Sequence, residues 1–231
     1  MFGSIDFNNL GLSILEIATR LIIVIIALTV HEYAHGWVAW KLGDSTAKSS
    51  GRLSLNPLRH LDPIGFLCML FFRFGWARPV PIDTRNFKNP RRDMALTGLA
   101  GPVANLILAF VILIPYEIIY SLAEAGVFNN ISAFGVNLIS VVISFVASFH
   151  FMNITLALFN FFPVPPLDGS RVLYAVLPDK YYFGVMKYER YISLGIMALL
   201  LFGVLDRPLM WLSNAVSNGM IWLIECLPFF G

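Results

Sequence analysis

Long apolar runs, broken at a few places by prolines and charges, dominate this chain. Crossing ~30 Å of hydrocarbon takes a helix of about 20 mostly apolar residues. Five spans are read from the runs, at about 21–40, 94–116, 132–161, 191–205 and 209–227. Glu16 and Arg20 stand four apart just before the first and can pair at the interface. Asp206-Arg207-Pro208 separates the last two, and Ser213, Asn214, Ser217 and Asn218 interrupt the fifth. The runs are continuous rather than alternating, which argues against a strand barrel. The expected fold is an all-α polytopic membrane protein of about five transmembrane helices.

Two stretches between the first and second spans depart from this pattern. GRLSLNP (51–57) alternates like a short strand, and IGFLCMLFF (64–72) is apolar but too short to cross. Two readings stand. They form a re-entrant, β-like element, which membranes tolerate only where protein buries it or it lines a wet cavity. Otherwise they are a surface loop with one amphipathic helix.

Composition agrees with the membrane reading. Of 231 residues, 58% are hydrophobic and 13% charged, with a mean hydropathy of +0.73. A soluble domain carries about twice that share of charge. The net charge of +2 says little, but its distribution is uneven: ten of the sixteen Lys/Arg lie between Lys41 and Arg92. Basic residues in short connections mark the cytoplasmic side. The 41–93 connection is therefore expected inside. The 117–131 loop, with Glu117 and Glu124 and no Lys/Arg, is expected outside. The 162–190 stretch, with Arg171, Lys180, Lys187 and Arg190, is expected inside again. Five spans then give an outer N-terminus and a cytoplasmic C-terminus, with Arg207 as an outer exception. The run at Leu21 lacks a basic leader and a small-residue cleavage site, so no cleaved signal is expected. Cys68 and Cys226 give neither a disulfide framework nor a cysteine metal site. With no repeats and no low-complexity tract, residues 1–231 are read as one transmembrane domain, with a core at about 21–178 and C-terminal helices at about 188–231. No nucleic-acid partner is expected.

The chemistry concentrates in LTVHEYAHGWVAW, residues 28–40. His31, Glu32 and His35 fit H-E-x-x-H. Positions i and i+4 share a helix face, so both imidazoles can reach one metal ion. Glu32 is turned about 100° away and can take a proton from a nearby water without being a ligand. An ionisable group at the bilayer centre costs roughly 2.5–3.5 kcal/mol on insertion scales. Three together need compensation, which a bound dication supplies. The competing reading has both histidines hydrogen-bonded to neighbouring helices and Glu32 facing a cavity.

Zinc hydrolases typically use three protein ligands. The third is sought in NFFPVPPLDGSR, residues 160–171. Pro163, Pro165 and Pro166 cannot continue a helix, so an extended segment near membrane depth is expected, carrying Asp168. A Zn²⁺ ion, two neutral histidines, Asp168 and Glu32 sum to zero charge, which suits a site of low dielectric. Asp168 is equally well read as a helix N-cap. His150, Asn153, Ala157 and Asn160 form one polar stripe on the third span, facing the protein interior. His150 is read as a packed, hydrogen-bonded residue and His60 as a loop or interface residue. Gly98, Gly101, Asn105 and Ala109 give the second span a small-residue face for close helix packing.

These motifs resemble those of the site-2 proteases, intramembrane zinc metalloproteases. The family's H-E-x-x-H appears as His31, Glu32 and His35. Its N-x-x-P-x-P-x-L-D-G appears as Asn160, Pro163, Pro165, Leu167, Asp168 and Gly169. Its G-P-x-x-N appears as Gly101, Pro102 and Asn105, and SLNPLRHLDPIG (54–65) is similar to the segment after its first motif. The resemblance covers about residues 21–178. It implies His31, His35 and Asp168 as ligands of one zinc ion, and Glu32 as the catalytic acid/base. Asn160 is implied to contact substrate or steady the site, and Asn105 and Asn153 are grouped with it as substrate-binding or supporting residues. The implied substrates are transmembrane segments of membrane proteins in the bilayer, cut near the cytoplasmic side, in regulated proteolysis. Many members carry PDZ or CBS domains; none is read in this sequence.

Three other readings use the same residues. A membrane metal transporter or sensor predicts ionisable groups along a path through several spans, and here they sit in one place. A membrane protease with a later glutamate as third ligand has only Glu189 and Glu225 to offer, neither in a fitting motif. An inactive relative sits poorly with the intact Glu32.

Overall fold

A computed structural model describes residues 10–72 and 77–226. Three long helices form its centre: α1 (Leu10–Lys41), α4 (Pro90–Glu124) and α5 (Ala133–Phe161). Short helices α2 (Thr46–Ser49) and α3 (Pro63–Phe72) lie in the connection between the first two. After α5 come α6 (Gly169–Val176), α7 (Asp179–Leu201) and α8 (Asp206–Glu225).

Helix α4 packs against α1, α5 and α6. It can do so because its buried face carries Gly98, Gly101, Pro102, Asn105 and Ala109, which let backbones approach closely. The buried face of α5 is Val146, Phe149, His150, Asn153, Ile154 and Ala157, spaced by threes and fours as one helical stripe requires. Ser132 caps the start of α5 by accepting from the Gly135 N–H. The prolines of 163–166 end it. The chain then turns back so tightly that a Cβ on Gly169 would meet the carbonyls of Phe161 and Phe162.

The expected β-like element is not a strand. Among the described residues there is only one isolated antiparallel bridge, between Leu61 and Ala77. Local bonds take up the backbone of GRLSLNP instead. Ser54 N–H donates to the Arg52 carbonyl, and the Asn56 side chain accepts from Leu58 N–H to start a 3₁₀ turn at Pro57–Arg59. The apolar stretch 64–72 falls within α3, whose first turn is held by Asp62 accepting from Gly65 N–H.

The described helices give three to four candidate spans, against the five expected. Three helices are long and apolar enough to cross a membrane, or four spans if α7 and α8 count as one bent pair. That pair turns through 81°. Gly203 makes the turn with a φ of +68°, where glycine has no Cβ to clash. Val204 N–H reaches back to the Leu199 carbonyl and Gly203 N–H to Leu200, closing α7 as a left-handed helix cap.

Helix α8 runs antiparallel to α5. Ser213 Oγ lies 3.1 Å from Thr155 Oγ1, and Ser217 Oγ lies 2.8 Å from His150 Nε2. Moving forward along α8 therefore moves backward along α5. The end of α8 lies on the side of the α4–α5 turn, where Glu225 is close enough to Glu117 to interact electrostatically. The other imidazole nitrogen of His150 meets the Ala109 carbonyl at 2.9 Å, so this histidine joins three helices.

Candidate metal centre

His31 and His35 sit one turn apart on α1 and are each 4% exposed. Their rings meet edge to face with centroids 4.6 Å apart. The two Nε2 atoms are 3.0 Å apart. Asp168 Oδ2 completes the cluster, 2.9 Å from His31 Nε2 and 3.1 Å from His35 Nε2. Asp168 occupies the N-cap position of α6, yet its side chain makes no cap hydrogen bond. It turns to the imidazoles instead. Its other oxygen, Oδ1, lies 3.9 Å from Arg171 Nη2.

Hydrogen bonds on the far side of each ring decide what the near side offers. His35 Nδ1 lies 2.6 Å from the Thr97 carbonyl, which can only accept. His31 Nδ1 lies 3.0 Å from Asn105 Oδ1. The Asn105 amide is oriented by its neighbours: its Nδ2 donates to Asn153 Oδ1 at 2.9 Å, and Asn153 Nδ2 donates to the Phe149 carbonyl at 2.9 Å. Both Nδ1 atoms therefore carry a proton, and in the neutral imidazoles both Nε2 atoms keep a lone pair to offer. Two lone pairs and a carboxylate oxygen then face each other within 3.1 Å.

That arrangement fits a cation. His31, His35 and Asp168 are the one such donor group among the described residues. Zinc at about 2.0–2.2 Å from each donor in a tetrahedron separates the donors by roughly 3.3–3.6 Å. The observed spacing is slightly tighter, and the donor set of two nitrogens and one carboxylate suits zinc. Gly101 adds a second sign. A Cβ there would lie 2.5 Å from His35 Nε2 and 2.6 Å from His31 Nε2. Space beside the donors is kept clear by the absence of a side chain.

Glu32 is half-buried, and its Oε2 accepts a 2.9 Å bond from the Val80 N–H. Asn105 touches His31, and Asn153 stands one step behind it. Asn160 is not joined to this network: its Nδ2 donates back to the Leu156 carbonyl of its own helix. The spacing of motifs gives no sign of the Thr97 carbonyl, Arg171, Arg52 or Val80. Two of these act through backbone atoms, which almost any residue type supplies. Gly101, read above as helix packing, abuts both rings.

A family model described as Peptidase family M50 matches residues 19–204. YwhC of Bacillus subtilis, which bears the name of a zinc metalloprotease, is 44% identical over 157 residues, 68% of each chain. Rip2 of Mycolicibacterium smegmatis, similarly named, is 28% identical over 170 residues, 72% of this chain and 58% of its own. The zinc metalloprotease MJ0392 of Methanocaldococcus jannaschii is 27% identical over 228 residues, 96% of this chain and 52% of its own. The chain thus spans little more than half the length of the last two. No solved structure matches it.

Proposed function

Because this chain belongs to peptidase family M50, the site-2 proteases, and is a zinc metallopeptidase of a multi-pass membrane type, we propose that it cuts transmembrane segments of other membrane proteins at the cluster of His31, His35 and Asp168. These three residues hold one zinc ion per chain. The observation that carries the reading is the convergence of both Nε2 atoms on a carboxylate oxygen, with the Nδ1 proton of each ring committed to an acceptor on its far side.

Bound zinc supplies a Lewis acid that polarises a peptide carbonyl and lowers the pKa of a water toward ~7. The protein supplies the proton transfer. Glu32 Oε2 is held by the Val80 N–H, which leaves Oε1 to take the water proton and return it to the leaving amine. Asn105 and Thr97 hold the imidazoles in the tautomer that the site needs. Asn153 fixes Asn105, while Asn160 keeps a role toward substrate only as an expectation from its motif.

The basic connection between α1 and α4 puts the His35 end of α1 on the cytoplasmic side. The α4–α5 turn then lies outside. Since α8 runs antiparallel to α5, the residues near Glu225 also lie outside. This reading differs from the cytoplasmic C-terminus expected from five spans. We read the whole chain as one protease domain, with substrates drawn from helices in the same bilayer and a role in regulated proteolysis.

The test pairs metal analysis of the purified protein with cleavage of a synthetic transmembrane helix carrying central Gly and Asn. Wild type is expected to hold zinc and cut. Glu32→Gln should hold zinc and not cut, and Asp168→Ala should lose both. Zinc binding with no cleavage by wild type would favour the metal-carrier reading.

A further inference from the structure

Residues 77–82 (Ala-Arg-Pro-Val-Pro-Ile) run past Glu32 as a strap fastened on every side. Arg78 N–H donates to the His60 carbonyl at 2.8 Å. Val80 N–H donates to Glu32 Oε2. The Val80 side chain is 7% exposed and lies where a Cβ on Gly36 would come within 3.3 Å of it, so the strap sits flush on α1 next to the H-E-x-x-H turn. Just downstream, Asp83 N–H and the Asn86 side chain both donate to Asp44, each at 2.8 Å.

One side chain grips the strap at the point that matters. Arg52 is 9% exposed, and its Nη2 donates to the carbonyls of both Arg78 and Pro79, at 2.5 and 3.3 Å. Its Nε has no partner. Burying a guanidinium with one nitrogen unsatisfied is costly, and the two carbonyl bonds are what it gains. These carbonyls immediately precede the Val80 N–H. Arg52 also lies within electrostatic reach of Glu32. The prolines sharpen the geometry. Pro79 and Pro81 have no N–H, so the strap's backbone donors are confined to residues 77, 78, 80 and 82, and those of Arg78 and Val80 are taken. Such a segment cannot offer a ladder of donors to a substrate strand. It is built to be held and to hold.

We propose that Arg52 is a positioning residue for catalysis: by clamping the carbonyls of Arg78 and Pro79 it fixes the Val80 N–H, which fixes Glu32 Oε2 and aims Oε1. This rests on the reading of Glu32 as the acid/base. Loss of the clamp leaves metal and substrate binding intact and lets Glu32 swing. A displacement of about 1 Å in a reacting group costs on the order of 10²-fold in rate.

The full-length protein, reconstituted with the synthetic substrate helix, gives the test. Arg52→Ala is expected to lower kcat by about 10- to 100-fold, with KM within about twofold of wild type and zinc content unchanged. Combined with Glu32→Asp, the two losses should be less than multiplicative. Hydrogen exchange supplies a readout independent of turnover, because in this strap only residues 77, 78, 80 and 82 carry amides. Exchange of the Val80 amide should rise at least several-fold in Arg52→Ala and in Glu32→Ala. Arg52→Lys, which keeps the charge and one donor, should lose about 3- to 10-fold in kcat and serves if the alanine variant does not fold. A wild-type kcat in Arg52→Ala or Arg52→Lys overturns the proposal. So does a loss confined to KM or zinc, multiplicative losses, or unchanged exchange at Val80. Zinc-loaded wild type that fails to cut refutes the protease reading instead, and exchange at Val80 still decides whether the clamp exists.

Discussion

The Cβ position of Gly101 lies 2.6 Å from Nε2 of His31. Nothing larger than hydrogen fits there while the rings stay where they are. Neither ring can withdraw without breaking its bond to Asn105 or Thr97. Gly101→Ala is therefore expected to cut zinc occupancy at least tenfold at limiting metal while the helices remain folded. Elemental analysis beside circular dichroism checks it, and full occupancy would contradict the geometry.

Asn105→Ala should weaken zinc binding by about 10- to 100-fold, the usual effect of losing a ligand's hydrogen-bond partner. The substitution also leaves the His31 Nδ1–H buried without an acceptor, which costs about 1–3 kcal/mol. Asn153→Ala acts one bond further out and should cost less. Competition with a chelator ranks the two, and the reverse order would show that the amide chain does not orient His31.

Glu32→Gln keeps the shape of the side chain and its bond from Val80 but removes the proposed base. Cleavage should fall by at least about 10²-fold, the low end of what a positioned acid/base contributes. Zinc content should not change. A slow variant with normal KM is the expected kinetic signature, measured by product mass over hours.

Asp44 predicts a dependence on acid pH. Burial acts to raise its pKa, but hydrogen bonds from Thr46, Asn86 and the Asp83 N–H outweigh this and hold it below the usual carboxylate range. A native value below the unfolded one stabilises fully above the ordinary value of about 4 and loses that stabilisation as pH falls through the native value. Asp83 is likewise pulled down, to about 2, by its bonds from Arg85. Protection of residues 83–87 from hydrogen exchange should be flat from pH 5 to 8 and fall below about 4. In Asp44→Asn it should be low throughout and show no such step.

Cys226 is exposed at the end of α8, and Cys68 lies on α3 in the basic connection. With α8 antiparallel to α5, an impermeant maleimide added to intact cells should label Cys226 and spare Cys68. Labelling of Cys226 only after permeabilisation would place the last helix the other way up.

Much of this architecture is readable from sequence because it rests on side chains at regular intervals. The long apolar runs give α1, α4 and α5, and the i,i+4 histidines plus a proline-broken carboxylate give the three donors that converge. What escapes is carried by backbone or by single residues. Hydropathy sees two apolar stretches after residue 190 but not the 81° bend that Gly203 makes between them. Alternation in GRLSLNP mimics a strand, yet Asn56 and Ser54 commit its backbone to local turns. The Thr97 carbonyl and the Val80 N–H carry no residue signature at all. The fit of Gly101 against two rings looks, in one dimension, like any small residue at a helix crossing.

The donor atoms of this cluster come from distant parts of the chain, His31 and Asp168 standing 137 positions apart. A growing polypeptide that has delivered α1 and α4 to the membrane holds two imidazoles and nothing to complete them. The third donor joins them only when α5 and the turn beyond it have folded back. On the proposed reading, the nascent protein has no complete donor set until its own topology is finished.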